Sequence, residues 1–409
     1  MDEGMGKVLA LPQAPDAIEL RHLRAFVAVA DELNFGRAAA RLYLSQPALS
    51  RQIRALERLV GCALLRRSTH RVELTLAGEA LLDRTRKLLS GVDEAISATR
   101  SVGGELAGRM ARMWEPFAEF AAADEDLQNL RTATEDMHGQ FPQLDDVDVR
   151  PVNAGGVPSL LLTPQPERPL GLLYLHGGGY VTGSAFGYRH LAGALAAAAS
   201  AATLLPEYRL APEHPFPAAL EDVLRAYVWL LDGGTDPATL AVAGDSAAGG
   251  LVLSLLLSLK QQDLPQPGCA LLLCPWVDLT CELLGKAKPD QVVVTPEQGR
   301  HFAGLYLNGH PADDPLVSPL TADLTGLPPL LVQAATGDTT LEEAHQLVDR
   351  ARAHGVEARI ELYPVPTHDF HVFWSFLPEA REALHQAGKF AQDTTRTDDR
   401  RTSRTGGDP

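Results

Sequence analysis

The chain has 409 residues, 45% of them hydrophobic and 22% charged, with a formal net charge of −16. That length accommodates two or three domains, and the composition excludes both a disordered chain and a disulfide scaffold. Charge is unevenly placed: residues 17–100 hold 14 Lys/Arg against 9 Asp/Glu, a balance of +5, which leaves −21 on the remainder. Only the N-terminal piece has the sign that phosphate binding requires.

The first residues, MDEGMGKVLALPQ, lack the basic start and apolar core of a signal peptide, so a cytoplasmic location is expected. Residues 20–31 repeat apolar side chains at helical spacing (Leu20, Leu23, Phe26, Val27, Ala30). A short helix follows at 36–43. Ser45 then caps a new helix, QPALSRQIRALERLV, with Pro47 in the first turn, where a missing N–H does no harm. Residues 63–75 read as a short hairpin with basic residues at its tip. Residues 76–100 read as one long helix with Leu82, Leu89 and Ile96 seven apart and Val92 between them. That spacing fits a dimerising seam, or a helix packed on its own domain.

Residues 101–150 are acidic, with helices expected around 107–122 and 124–138. From 151 the pattern changes. Apolar runs (LGLLYLH, AATLLP, TLAVAG, ALLLCP, PLLVQAA, RIELYP) alternate with helical patterns at 188–200, 217–231, 247–260 and 341–354. Such alternation argues for a mostly parallel α/β sheet. The apolar runs near 191–206 and 247–259 are too short to span a bilayer. The polar tail, DTTRTDDRRTSRTGGDP, is expected to be disordered. Cys62, Cys269, Cys274 and Cys281 form no CxxC pair and fit no zinc template, which suggests free, buried thiols.

In the N-terminal piece, two short helices meet at a tight turn, and the second begins with Gln46 and Pro47 and carries Ser50, Arg51 and Arg54. This fits a helix-turn-helix whose second helix enters the major groove. Gln and Arg form bidentate bonds to base edges, and Ser serves base or phosphate. Arg66, Arg67 and Arg71 would lie on a wing facing phosphate or the minor groove. The stretch from 20 to 82 resembles the winged helix-turn-helix of LysR-type transcriptional regulators, through Ala38–Ala39, SQPALSRQI at 45–53, LE at 56–57 and LTLAGE at 74–79. The resemblance implies sequence-specific binding of double-stranded DNA and a homodimer formed through the long helix. That family continues into a two-lobed effector-binding domain; this chain does not.

In the C-terminal piece, LGLLYLHGGGYVTGS places three glycines directly after a strand, where backbone N–H groups can hold a developing oxyanion. Neither phosphate-loop pattern fits. TLAVAGDSAAGGLVLSL is strand, turn and helix, the context a nucleophile elbow demands, with Ser246 seventy positions after His176 and Ala248 where the last glycine of G-x-S-x-G would stand. A serine nucleophile needs a base and an orienting acid, in the order Ser, Asp/Glu, His. Asp338 lies just past the strand PLLVQAA and His368 just past RIELYP, both at the edge where open α/β sheets place their sites. Glu342 and Glu343 are fallback acids, expected instead on a solvated helix face, and His371 is a fallback base expected to be structural.

These residues resemble the hormone-sensitive-lipase-like α/β-hydrolases, through HGGGY (176–180), EYRLAPEHPFPAALED (207–222), GDSAAGG (244–250), CPWVDLT (274–280) and HDFHVF (368–373). The resemblance implies a serine carboxylesterase with nucleophile Ser246, base His368, orienter Asp338, and the N–H groups of Gly178, Gly179 and Ala247 as oxyanion donors. It also implies a helical cap. Two departures stand out: Ala248, and Asp369 where glycine often follows the histidine.

The expected chain is therefore multidomain. A winged helix-turn-helix (18–76) leads through a linker or dimerisation helix (77–104) and a cap segment (105–150) into an α/β-hydrolase domain (151–391) and a disordered tail (392–409). The expected activity is hydrolysis of small or short-acyl esters through an acyl-enzyme, with no metal, no organic cofactor and no membrane partner. The alternative is a LysR-type regulator whose hydrolase-like domain senses a small molecule; a fusion with an idle DNA-binding arm is a third reading.

Overall fold

The computed structural model describes residues 18–67, 72–120, 127–166, 168–285 and 294–395. The chain divides into two compact units, residues 1–97 and 98–409.

The first unit comprises α1 (Leu20–Glu32), α2 (Phe35–Arg41), α3 (Gln46–Val60), the strands β1 (Leu65–Arg67) and β2 (Val72–Leu74), and most of α4 (Leu76–Gly103). Local chemistry sets the breaks. The Asn34 side chain accepts from the Arg37 amide at 3.0 Å, which starts α2. The Ser45 hydroxyl accepts from Ala48 N–H, which starts α3, and Gly61 ends α3 in the left-handed region at φ 80°. Leu23, Phe26, Val29, Leu49, Ile53 and Leu56 bury the facing sides of these helices. The β1–β2 pair is antiparallel. It is tied to α3 by Glu57, whose carboxylate accepts the amides of Leu64 and Leu65 at 3.0 and 3.2 Å. On α4, Leu82 and Leu89 pack against this same core, while Ile96 is 43% exposed.

The second unit begins with α5 (Glu105–Phe120) and α6 (Leu127–His138). It continues through β3 (Val147–Ala154), β4 (Val157–Pro164), β5 (Arg168–Leu175), α7 (Ala185–Ala199), β6 (Ala201–Pro206) and α8 (Ala218–Asp232). Next come β7 (Leu240–Asp245), α9 (Ala247–Gln261), β8 (Cys269–Leu273) and α10 (Pro296–Leu307). The last elements are β9 (Leu330–Ala335), α11 (Leu341–Ala353), β10 (Ala358–Tyr363) and α12 (Pro378–Thr394). The eight strands form one sheet in the order β10-β9-β8-β7-β5-β6-β4-β3. It is parallel from β10 to β6, with β4 and β3 joined antiparallel at one edge.

Alternation along the central strands builds two cores. Leu173, Leu175 and Val242 face one side, with α8, α9 and α11. Leu172, Tyr174, Ala241 and Ala243 face the other, with α7 and α12. Strands β7, β8 and β9 are buried at every position, as a sheet covered on both faces requires. The antiparallel pair β3–β4 is absent from the sequence-level pattern, because β3 is largely exposed and carries no apolar run. Helix α12 extends to Thr394, past residue 391. Cys269, Cys274 and Cys281 are buried free thiols, but Cys62 is exposed, contrary to expectation. No helix among the described residues is long and apolar enough to cross a membrane.

Candidate active site

Strand β7 delivers Ser246 to the turn before α9. Ser246 sits at φ 52°, ψ −123°, a backbone region that non-glycine residues adopt at a strain of ~1–3 kcal/mol. Surrounding hydrogen bonds hold it there. Ser246 N–H donates to Leu273 O at 2.9 Å, and Trp276 N–H donates to Ser246 O at 2.9 Å. Close approach is paid for at Gly244, where a Cβ would lie 2.5 Å from the Ala248 carbonyl oxygen. Ala248 itself is fully buried in the core on the α9 side of the sheet, so the small residue this turn requires stands two positions before the serine.

Ser246 Oγ lies 2.7 Å from His368 Nε2. His368 Nδ1 lies 2.7 Å from Asp338 Oδ2, and Asp338 Oδ1 accepts the Thr340 amide at 3.2 Å. All three side chains are buried: Ser246 is 9% exposed, Asp338 7% and His368 4%. Burial pushes the Asp338 carboxyl upward, but the His368 charge, its hydrogen bond and the Thr340 amide outweigh burial and hold it below the ordinary value. The three arrive from separate crossings of the sheet, past the ends of β7, β9 and β10. A buried acid orienting an imidazole that bonds a hydroxyl is the arrangement of a nucleophilic relay.

Past the end of β5, the backbone turns through Gly178 at φ 112° and Gly179 at φ 61°. A side chain at Gly178 would lie 2.2 Å from the Thr182 carbonyl oxygen, so the turn admits glycine alone. His176 anchors the loop rather than reacting. Its ring stacks on Tyr208 at 4.2 Å, the Tyr208 hydroxyl donates to His176 O at 2.5 Å, and burial lowers its pKa to about 4. Arg209 binds Asp222 through its backbone amide and two guanidinium nitrogens, which fixes the segment carrying Tyr208. Ala247 is the first residue of α9, and its amide is one of the donors that a helix start leaves without an intrahelical partner.

Helix α6 is fastened beside this loop. Arg131 donates to Val181 O at 2.8 Å and Ala211 O at 2.9 Å and pairs with Glu213. Helix α5 is joined through Gln298, whose amide donates to Phe117 O. A cavity of about 330 Å³ opens between α5 and α6, lined by Arg109, Arg112, Met113, Asp136 and Met137, and none of the serine, histidine and acid above lines it.

Two expectations are corrected or resolved. Glu342 is exposed, but Glu343 is fully buried, not on a solvated face. Its Oε2 accepts the amides of Val277 and Asp278 at 2.8 and 3.1 Å, so it braces the loop that also binds Ser246 O. His371 is buried too, with Nε2 3.1 Å from Gln333 Oε1 and no contact with Ser246.

In the first unit, Gln46, Pro47, Arg51 and Arg54 are exposed on α3 and Ser50 is half-buried, while Leu49 and Ile53 face inward. Arg24, Arg37, Arg41 and Arg86 pair with acids of their own unit. Arg51, Arg54 and Arg66 form no ion pair among the described residues. Arg66 is exposed on β1, Arg67 ends that strand, and Arg71 lies outside the described residues.

Comparison with known proteins separates the same two parts. A profile described as the alpha/beta hydrolase fold matches residues 172–372. A profile described as the bacterial regulatory helix-turn-helix protein, lysR family, matches residues 20–79. An acetyl-hydrolase of Streptomyces hygroscopicus is 41% identical over 235 residues, covering 56% of this chain and 79% of that protein. An uncharacterised HTH-type transcriptional regulator of Escherichia coli is 46% identical over 128 residues, covering 31% of this chain and 43% of that protein. The crystal structure of an esterase from the bacterial hormone-sensitive lipase family is 38% identical, with a TM-score of 0.66, covering 70% of this chain and 97% of that one.

Proposed function

This chain belongs to the hormone-sensitive-lipase family of α/β-hydrolases and carries a LysR-type helix-turn-helix, and from that premise we propose that it is a serine carboxylesterase built around Ser246. The observation that carries the reading is the unbroken contact from Ser246 Oγ to His368 Nε2 and from His368 Nδ1 to Asp338 Oδ2, each at 2.7 Å.

In the proposed reaction, His368 takes the Ser246 proton as Oγ attacks the ester carbonyl. The Asp338 carboxylate stabilises the imidazolium that forms. The negative charge that develops on the carbonyl oxygen is held by the N–H groups of Gly178, Gly179 and Ala247. His368 passes its proton to the departing alcohol, and water then releases the acid from Ser246 through the same base. Small or short-acyl esters are the proposed substrates, in keeping with a relative described as an acetyl-hydrolase.

The exposed face of α3, with Gln46, Ser50, Arg51 and Arg54, is the proposed DNA-reading surface, and Arg66, Arg67 and Arg71 are the proposed wing contacts. A homodimer through α4 would set two such surfaces against two half-sites. The proposed DNA binding favours the cytoplasm as the place of work. Labelling of the full chain by a fluorophosphonate, together with hydrolysis of p-nitrophenyl acetate or butyrate, tests the enzyme reading. Both are expected to vanish in Ser246→Ala, and undiminished hydrolysis in that variant overturns the assignment.

A further inference from the structure

Two acids flank the reacting pair. Asp245 ends β7 and immediately precedes Ser246; Asp369 immediately follows His368. Both are sealed from solvent, at 0% and 1% exposure, and their carboxyls face each other closely enough to interact directly. The groups facing the pair are Tyr174, Tyr188, Tyr208, Cys274, Asp338, His368 and His371. None of these is a permanent cation.

The donors fall unequally. Tyr174 O–H donates to Asp245 Oδ1 at 2.6 Å. Asp369 has no equivalent. His371 Nδ1 lies 3.9 Å from Asp369 Oδ1, but it is the bare nitrogen of that ring. The Gln333 side-chain amide donates to Glu361 and to Ala383 O, so Gln333 Oε1 must accept from His371 Nε2–H. Burial keeps the imidazole neutral, with its pKa lowered to about 3. Counted as two carboxylates, the pair would leave Asp245 Oδ2 and Asp369 Oδ1 buried with no donor. Two carboxylates facing each other in a dry site do not both ionise.

The backbone adds an independent sign. Asp369 sits at φ 48°, ψ 45°, in the left-handed region that glycine adopts freely. An aspartate there accepts strain that a glycine would not, and such strain persists where surrounding structure over-determines it.

We propose that Asp245 and Asp369 share a single proton and act as positioning residues, an acid-pair clamp that fixes the serine turn against the histidine loop. The proton rides on Asp369, and its O–H donates to the Asp245 carboxylate, a charge-assisted bond of the short, strong class. Burial raises both acids above their ordinary value, and Asp369 is raised further by the Asp245 charge. The clamp's effect on turnover rests on the assignment of Ser246 and His368 given above; its proton does not.

Infrared difference spectra of the full chain at pH 7, wild type minus Asp369→Asn, read the proton directly. A protonated-carboxyl stretch is expected in the wild type and absent from the variant. Steady-state kinetics read the positioning. Asp369→Gly suits the backbone and removes the clamp, so kcat is expected to fall by up to about 100-fold, the scale of a ~1 Å misplacement, with KM little changed. Asp369→Asn restores an N–H donor to Asp245 and is expected to recover most of that loss. Absence of the carboxyl band, wild-type turnover in Asp369→Gly, or an Asn variant as slow as the Gly variant overturns the proposal. An inactive wild type that still shows the band would instead sink the esterase reading.

Discussion

Glu343 accepts the amide of Val277 at 2.8 Å from a fully buried position on α11. The same carboxylate takes the Asp278 amide, and the neighbouring Trp276 amide holds the Ser246 carbonyl. One acid thus braces the loop on which the strained serine turn leans. Burial raises its pKa well above 4.5, partly offset by the two amides. A carboxyl raised on folding holds a proton that the unfolded chain has released, so its contribution to stability falls as pH rises from about 4.5. Glu343→Gln, which keeps the acceptor and carries no charge, is therefore expected to match or exceed the wild-type melting temperature at pH 8. Glu343→Ala strands two buried amides and is expected to lose roughly 2–4 kcal/mol in denaturant titration.

The turn places its steric demand at Gly244, not at Ala248. Gly244→Ala drives a methyl to 2.5 Å from the Ala248 carbonyl oxygen and is expected to abolish p-nitrophenyl butyrate hydrolysis. Ala248→Gly lies in the first turn of α9. It is expected to leave turnover nearly intact while costing about 0.5–1 kcal/mol of stability through added backbone freedom. Reversal of these two outcomes would return the close contact to position 248.

Sequence signals were strongest where chemistry and periodicity coincide locally. Strands β5 to β10 announce themselves as apolar runs, and Ser246, Asp338 and His368 each follow such a run. Strand β3 does not, because a largely exposed edge strand carries no such run, and the short run Leu160–Leu162 of its partner β4 is bounded by Pro158 and Pro164. Glu343 reads as a solvated helix position because its partners, the amides of Val277 and Asp278, are remote in the chain and carry no side-chain signature. Asp369 was visible only as a departure from glycine; its partner Asp245 comes from a different strand of the sheet. Long-range pairing of polar groups is what a residue-by-residue pattern leaves out.

Asp338 gives the opposite pH signature to Glu343. Its folded pKa lies below the ordinary 3.8 despite burial, because the His368 charge and hydrogen bond favour the anion. An acid depressed on folding contributes stability above its unfolded pKa and loses it as pH falls through the folded value. Asp338→Asn is therefore expected to flatten the acid limb of the melting curve below pH ~4. The same change misorients the imidazole, and kcat is expected to fall by up to about 10⁴-fold. A variant that keeps both wild-type turnover and the wild-type acid limb would remove Asp338 from the relay.

The last prediction concerns α3. Arg51 and Arg54 project from its exposed face with no acid partner among the described residues, whereas Arg37 and Arg41 on α2 are both paired. A guanidinium already held by a carboxylate has less to offer a phosphate or a base edge. Arg51→Ala is thus expected to cost roughly 1–3 kcal/mol of discrimination between specific and random duplexes, with a smaller loss of general affinity. Arg66→Ala, on the wing strand, is expected to weaken all duplexes alike and to lower the salt slope by about one unit. Fluorescence anisotropy over a salt series separates the two effects. Repeating it after fluorophosphonate labelling then asks whether the hydrolase cleft reports to the DNA arm: a change in specific affinity supports coupling, and identical isotherms show that the two halves of the chain act independently.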